Sequence, residues 1–235
     1  MLQYLEQTTL LNYGHSAITT LVAQKGWPAL PEKERIRAIY DFVRDEISFG
    51  YNEKDAISAT TVLQDGYGQC NTKGILFMAL LRACSIPCRM HGFLIDKPLQ
   101  KGTLTGLFYQ LAPNEILHSW VELFYDGRWL NLEGFILDKP YLYSLQQVFQ
   151  DCTGAFCGYG VATDNFQSPQ IDWAESDTYI QKEGIVKDLG VYDNPDALFA
   201  ANKQALSPLQ AFLYARVVRH SMNRAVKRIR NNRIL

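Results

Sequence analysis

The sequence predicts an α+β fold in which one buried helix packs on an antiparallel sheet, with helical segments before and after. Three observations carry that prediction. A proline-free apolar run, residues 74–83, follows a loop loosened by Gly66 and Gly68. A helix apolar on all sides belongs inside a protein. Residues 116–125 and 128–133 read as two strands, and Asp126-Gly127 between them is a strong two-residue hairpin signal. Residues 88–95, just after Ile86-Pro87, read as a third strand.

The remaining elements follow in chain order. Residues 1–25 are helical or irregular. Trp27-Pro28-Ala29-Leu30-Pro31 is a linker, since two prolines do not fit a helix interior. A helix starts at Pro31-Glu32-Lys33-Glu34, where proline and acidic residues suit a first turn. Ile36, Ile39, Tyr40 and Val43 form its apolar stripe. Residues 47–51 are extended, and residues 58–63 lead into the glycine loop. Residues 96–114, with Pro98, Gly102, Gly106 and Pro113, form a loop. A short helix spans 142–149. Residues 150–200 show no clean period and read as irregular packing. Residues 209–229 form a final helix with a long apolar stripe and many arginines.

With 235 residues, 47% hydrophobic and 20% charged, the chain is large enough for an ordinary core. We expect one domain over 1–235, with its core at 32–138 and a C-terminal extension, 139–235, packed on it. No apolar run reaches membrane-span length; Arg82 interrupts the longest. The first residues lack a basic segment followed by an apolar one, so they do not read as a secretory signal. Five cysteines are an odd number in a chain that needs no staples. Reduced thiols and a cytoplasmic location are the simpler expectation.

Net charge is −1, yet from Lys203 onward there are eight Lys/Arg and no Asp/Glu, which leaves residues 1–202 at −9. A basic amphipathic helix can lie on an anionic membrane. Here the acidic remainder offers partners within the chain, so docking on its own domain is preferred over membrane contact, and no nucleic-acid partner is expected.

Cys70 begins the buried helix. Unpaired N–H groups and the macrodipole at a helix start favour a negatively charged sulfur, which is the nucleophilic form. In the hairpin register set by Asp126-Gly127, Glu122 faces Asn131 and Trp120 faces Glu133. His118, Trp120 and Glu122 then share a face with Glu133, Asn131 and Trp129. His118 and Glu133 become diagonal neighbours about 7 Å apart at the backbone. A thiol, an imidazole and a carboxylate placed to orient that imidazole are the parts of a thiol acyl-transfer site. The backbone N–H of Cys70 is a natural oxyanion donor. Gln64, Gln69 and Tyr51 are candidates for a second donor, and Trp120 lies near the site.

Two stretches resemble the transglutaminase-like superfamily. One is Gly68-Gln69-Cys70 with its apolar helix ending Leu80-Leu81-Arg82-Ala83-Cys84-Ser85-Ile86-Pro87-Cys88-Arg89. The other is His118-Ser119-Trp120-Val121-Glu122 followed by Gly127-Arg128-Trp129-Leu130-Asn131-Leu132-Glu133. The resemblance covers about residues 32–138. It implies a papain-like core, with the nucleophile on a helix and its partners on an antiparallel sheet, and Cys70 and His118 match the catalytic positions. The family usually has aspartate where this chain has Glu133, one methylene longer. The implied activity is that of a cysteine-dependent amide hydrolase or acyltransferase on a peptide or protein amide, through a thioester, with hydrolysis preferred. The competing reading is a catalytically silent domain that serves as a protein-interaction module.

No metal or cofactor is expected. Cys84 and Cys88 flank a helix end, and the spacing of Cys152 and Cys157 is not that of a zinc ribbon. His15, His91 and His220 read as structural or exposed. Asp172-Trp173 and Gly158-Tyr159-Gly160 read as loops carrying buried aromatics.

Overall fold

In the computed structural model, residues 1–202, 204 and 207–231 are described. The basic tail counted from Lys203 therefore includes two cations, Lys203 and Arg233, outside the described residues.

The N-terminal helices are α1, Ser16–Lys25, and α2, Glu32–Asp41. Between them the expected linker is instead one 3-10 turn, Trp27–Ala29. Pro28 sits in its first turn, where a missing N–H costs nothing, and Trp27 is buried there. Beyond α2 the chain makes a π-helical turn, Phe42–Glu46, and then the short strand β1, Ser48–Phe49. Ser58 accepts a hydrogen bond from the Thr61 N–H and so caps α3, Ala59–Asp65, which ends at left-handed Gly66. Strand β2, Tyr67–Gly68, pairs in parallel with β1 and delivers the chain to α4, Cys70–Ala83.

Helix α4 is buried on every side from Cys70 to Arg82. Its two cations are accommodated by carbonyls. Lys73 Nζ donates to the Arg44 and Ile136 carbonyls, 3.0 Å each, and Arg82 donates to those of Cys88 and Asp193. Burial pushes the Lys73 amine down to about 7. Gly74 permits the close approach to the sheet, because a Cβ there would lie 3.3 Å from Met90 Cε.

The main sheet adds β3, Cys88–Asp96, then β4, Glu115–Tyr125, and β5, Arg128–Leu132. Between β3 and β4 the expected loop is partly helical. It holds a 3-10 turn, Lys97–Gln100, and α5, Gly106–Leu111. The β4–β5 register is the one the turn dictates, with Tyr125 opposite Arg128 and Glu122 opposite Asn131. Asp126 and Gly127 both take positive φ, 48° and 75°, as the tight turn requires.

After β5 come α6, Lys139–Val148, and the hairpin β6, Phe156–Gly158, with β7, Val161–Thr163. The expectation of irregular packing over 150–200 is corrected further on by β8, Ile185–Tyr192, and α7, Pro195–Ala201. Strand β8 pairs antiparallel with β3 and completes a sheet ordered β5-β4-β3-β8. Its alternation is obscured because it is a largely exposed edge with two register shifts and a left-handed Gly190.

The C-terminal segment is α8, Pro208–Leu213, a π-helical turn, Tyr214–Val218, and α9, Arg219–Arg230. The π turn shifts the helical phase and splits the expected stripe. Met222, Val226 and Ile229 are buried, whereas Phe212, Leu213 and Val217 are exposed. Arg230 holds α9 to the core by two bonds to Asp138, 2.6 and 3.0 Å, and one to the Phe49 carbonyl. Among the described residues no helix is long and apolar enough to cross a membrane.

Candidate active site

The loop before α4 is built to hold Cys70 at the helix start. The Gln69 N–H donates to Thr72 Oγ1 at 3.0 Å in a capping box. Gln69 Oε1 accepts from the Asn52 N–H at 2.9 Å, and Nε2 donates to Asp55 Oδ1 at 3.0 Å. Gln69 thus positions the turn, and its amide is already engaged. Cys70 follows as the first helical residue, 8% exposed. A first-turn N–H has no acceptor inside the helix, so that of Cys70 is available to a substrate oxygen.

His118 projects from β4 and is wholly buried, as is Glu133. A carboxylate oxygen can only accept, so His118 Nε2 donates to Glu133 Oε1, at 2.8 Å. The other ring nitrogen, Nδ1, is buried with no hydrogen-bond partner among the described residues. Burial alone would lower the imidazole, but the neighbouring Cys70 sulfur and then Glu133 outweigh it and raise His118 to about 10. The ring is therefore held in its charged form between a sulfur and a carboxylate.

Glu133 lies one residue beyond the β4–β5 ladder, which ends at Val121 opposite Leu132. Its backbone is carried on by Thr178, whose carbonyl accepts the Glu133 N–H at 3.0 Å. Its second oxygen, Oε2, accepts from the backbone N–H groups of Ile180 and Gln181, at 2.8 and 2.9 Å. Gly134 makes this turn sterically feasible; a Cβ there would lie 2.6 Å from the Tyr40 hydroxyl and 2.8 Å from Ile171 Cα.

Asn71 joins the nucleophile's helix to the imidazole's strand. Its Nδ2 donates to the Leu117 carbonyl at 3.0 Å, and its Oδ1 accepts from Ser119 Oγ at 2.8 Å. The two contacts flank His118 in sequence. Neither Asn71 nor residues 180–181 stood out in the sequence, because an asparagine in a helix and backbone N–H groups in an aperiodic stretch carry no pattern.

The remaining residues named from sequence fall in different places. Tyr51 Oη pairs with Thr103 Oγ1 at 3.1 Å, and Thr103 in turn donates to the Gln100 carbonyl. The Tyr51 proton is thus directed at Thr103. Trp120 is buried on the His118 face of β4, its ring tilted at 45° to that of Phe93. Gln64 is not brought to the site, since it is exposed on α3 and outside the cavity that reaches Cys70. Asn131 bonds Asp177 and the Tyr179 hydroxyl. His15 caps α1, His91 bridges Glu122 and Asp188, and His220 is exposed. Cys84 and Cys88 are buried and pushed up to about 11 by burial, whereas Cys157 is exposed.

A cavity of about 530 Å³ opens onto Cys70. Apolar side chains from β3, β4, α5 and the C-terminal segment wall it. Tyr214 lies over the Cys70 end, its hydroxyl raised by burial and by Asp55.

The fold is α+β, with a buried helix that starts at Cys70 packed on an antiparallel sheet that carries His118. Residues 19–134 match the model of the transglutaminase-like superfamily, and this segment is a transglutaminase-like domain. The match begins within α1, earlier than the stretch the motifs mark, and ends just past Glu133. No curated protein matches the sequence. Among solved structures, the chain is similar to a Cytophaga hutchinsonii protein described as a "Putative Cysteine Protease", with a TM-score of 0.48 and 12% identity over 83% of this chain. The chain spans about half, 47%, of that protein's length.

Proposed function

We propose that the protein is a cysteine-dependent amide hydrolase, with Cys70 as nucleophile, His118 as acid and base, and Glu133 as the carboxylate that orients and charges the ring. The observation that carries this reading is the buried His118–Glu133 pair, whose imidazole is raised by the neighbouring Cys70 sulfur and by Glu133. The Cys70 sulfur attacks the amide carbonyl. The developing oxyanion meets the Cys70 N–H. His118 protonates the leaving nitrogen as the C–N bond breaks, leaving a thioester. His118 then takes a proton from water, hydroxide attacks, and the C–S bond breaks to restore thiolate and imidazolium. Hydrolysis is favoured over transfer to an amine because the cavity wall is mainly apolar beside Cys70; the carboxylates in the lining are Glu53, which is exposed, and Asp55, which accepts from Gln69.

The test is a library of thiol-reactive amide probes applied to wild type and Cys70→Ala. Labelling by at least one amide probe that vanishes in Cys70→Ala supports the assignment. A wild-type protein that no probe labels supports the alternative of a silent interaction domain.

A further inference from the structure

Resting on the amide-hydrolase reading, we propose that the substrate is an N-acylated amine with an aliphatic acyl group. The acyl chain occupies the cavity beside Cys70, and the scissile amide N–H donates to Gln181 Oε1.

The cavity is of a size typical of small-molecule sites, which span roughly 300–1,000 Å³. Its wall is chiefly Ile95, Leu99, Leu104, Leu213, Val218 and Met222. Phe108 and Leu111 of α5, which also line it, are 37% and 61% exposed, and Leu213 is 42% exposed. The apolar lining therefore continues out to solvent on the side of α5 and Leu213, while Glu53 and Lys54, both exposed, line another part of the cavity. A chain can enter along the apolar side.

The polar groups in the wall argue against an extended peptide. Gln69 and Asn71 are both engaged within the protein, as described above. Gln204 accepts from the Leu117 N–H and donates to the Glu115 carbonyl. Gln210 accepts from the Ser207 N–H. A polypeptide backbone threaded here would bury N–H and C=O groups against apolar side chains, and unpaired buried groups are costly. An aliphatic chain carries none.

Among the buried polar side chains of the wall, Gln181 is the exception. It is 3% exposed, lines the cavity, and its Oε1 has no partner among the described residues. Its orientation is fixed, because Nε2 donates to the Gly160 carbonyl and leaves the oxygen as the free end. Its own backbone N–H binds Glu133. The unpaired acceptor is thus tied to the element that orients His118, the group that must protonate the amide nitrogen. One substrate N–H satisfies it.

The test uses the full chain with acyl p-nitroanilides of increasing length: acetyl, butyryl, octanoyl and dodecanoyl. Each hydrolysis should release one carboxylate and one p-nitroaniline. We expect kcat/KM to rise roughly fourfold per added methylene until the cavity is filled, and Leu213→Trp, at the mouth, to shorten the length at which the rate peaks. Leu104→Trp, deeper in, should do so more severely. Gln181→Leu should lower kcat/KM for every length by roughly the tenfold typical of a lost buried hydrogen bond, with the length preference intact. A flat length series, or faster cleavage of peptidyl anilides with apolar residues, overturns the proposal while leaving the hydrolase reading in place. No turnover of any anilide, together with an inert Cys70 toward iodoacetamide, overturns the hydrolase reading itself.

Discussion

Glu133 divides its two oxygens between the imidazole and the scaffold: Oε1 accepts from His118, and Oε2 accepts from the backbone of Ile180 and Gln181. Glutamine has only one acceptor oxygen, so Glu133→Gln sets an NH2 against donors on one side or the other. Loss of the equivalent carboxylate in a serine triad costs about 10⁴ in turnover. A thiol site leans less on its third member, so a loss of roughly 10–100-fold is expected. The melting temperature should also fall. Glu133→Asp keeps the charge but cannot span both sets of donors, and should be intermediate. Thiol reactivity and calorimetry on both variants check this; a silent Glu133→Gln contradicts it.

The charge on His118 has a pH signature. Its imidazole is raised from an ordinary 6.5 to about 10, against burial, by Cys70 and Glu133. A raised value means the folded state binds the proton more tightly. The stability this contributes is complete below 6.5 and fades as pH rises through about 10. The difference in melting temperature between wild type and His118→Ala should therefore narrow from neutral pH toward pH 10. A constant difference across that window contradicts the charged pair.

Asn71 should act as a positioning residue. Asn71→Ala leaves the Leu117 carbonyl and the Ser119 hydroxyl without their partner, at a cost of about 1–3 kcal/mol. It should also slow alkylation of Cys70 several-fold by loosening α4 from β4. Ser119→Ala removes only one of the two contacts and should be milder in both readouts. Equal alkylation rates in Asn71→Ala and wild type would confine Asn71 to a structural role.

Arg230 tests the docking of α9. Asp138 is buried, and although burial alone would raise its carboxyl, the hydrogen bond from Arg230 holds it below the usual 3.8. Arg230→Met should cost about 1.5–3 kcal/mol, as for hydrogen bonds to a charged group. A depressed carboxyl contributes stability above its ordinary value and loses it as pH falls. The wild-type advantage should be full above pH 3.8 and shrink below it. Urea unfolding at neutral and acid pH reads both effects.

The α+β class, helix α4, strands β3 to β5 and the hairpin register were legible because their signals are local: an apolar run, alternation and a two-residue turn. The place of Cys70 at the helix start and the pairing of His118 with Glu133 were legible from the same local order. The features that support Glu133 were not, because Thr178, Ile180 and Gln181 act through backbone groups, which any side chain can supply. Strand β8 was hidden because an exposed edge with two register shifts loses its alternation. The C-terminal stripe read as one continuous face because sequence periodicity assumes a uniform helix, and the π turn at Tyr214–Val218 breaks that assumption. Gln64 was misplaced because closeness to Cys70 in sequence says nothing about which side of α3 it occupies.

The most direct test of the account is the order in which the native cysteines react with iodoacetamide at about pH 6.5, read by mass spectrometry in wild type and His118→Ala. Cys84 and Cys88 are buried and pushed up to about 11, and Cys157, though exposed, is raised by burial and by Asp96. Cys70, despite being only 8% exposed, is expected to be alkylated first, and His118→Ala to slow this reaction without unfolding the protein. Faster labelling of Cys152 or Cys157 than of Cys70, or an unchanged Cys70 rate in folded His118→Ala, would contradict it.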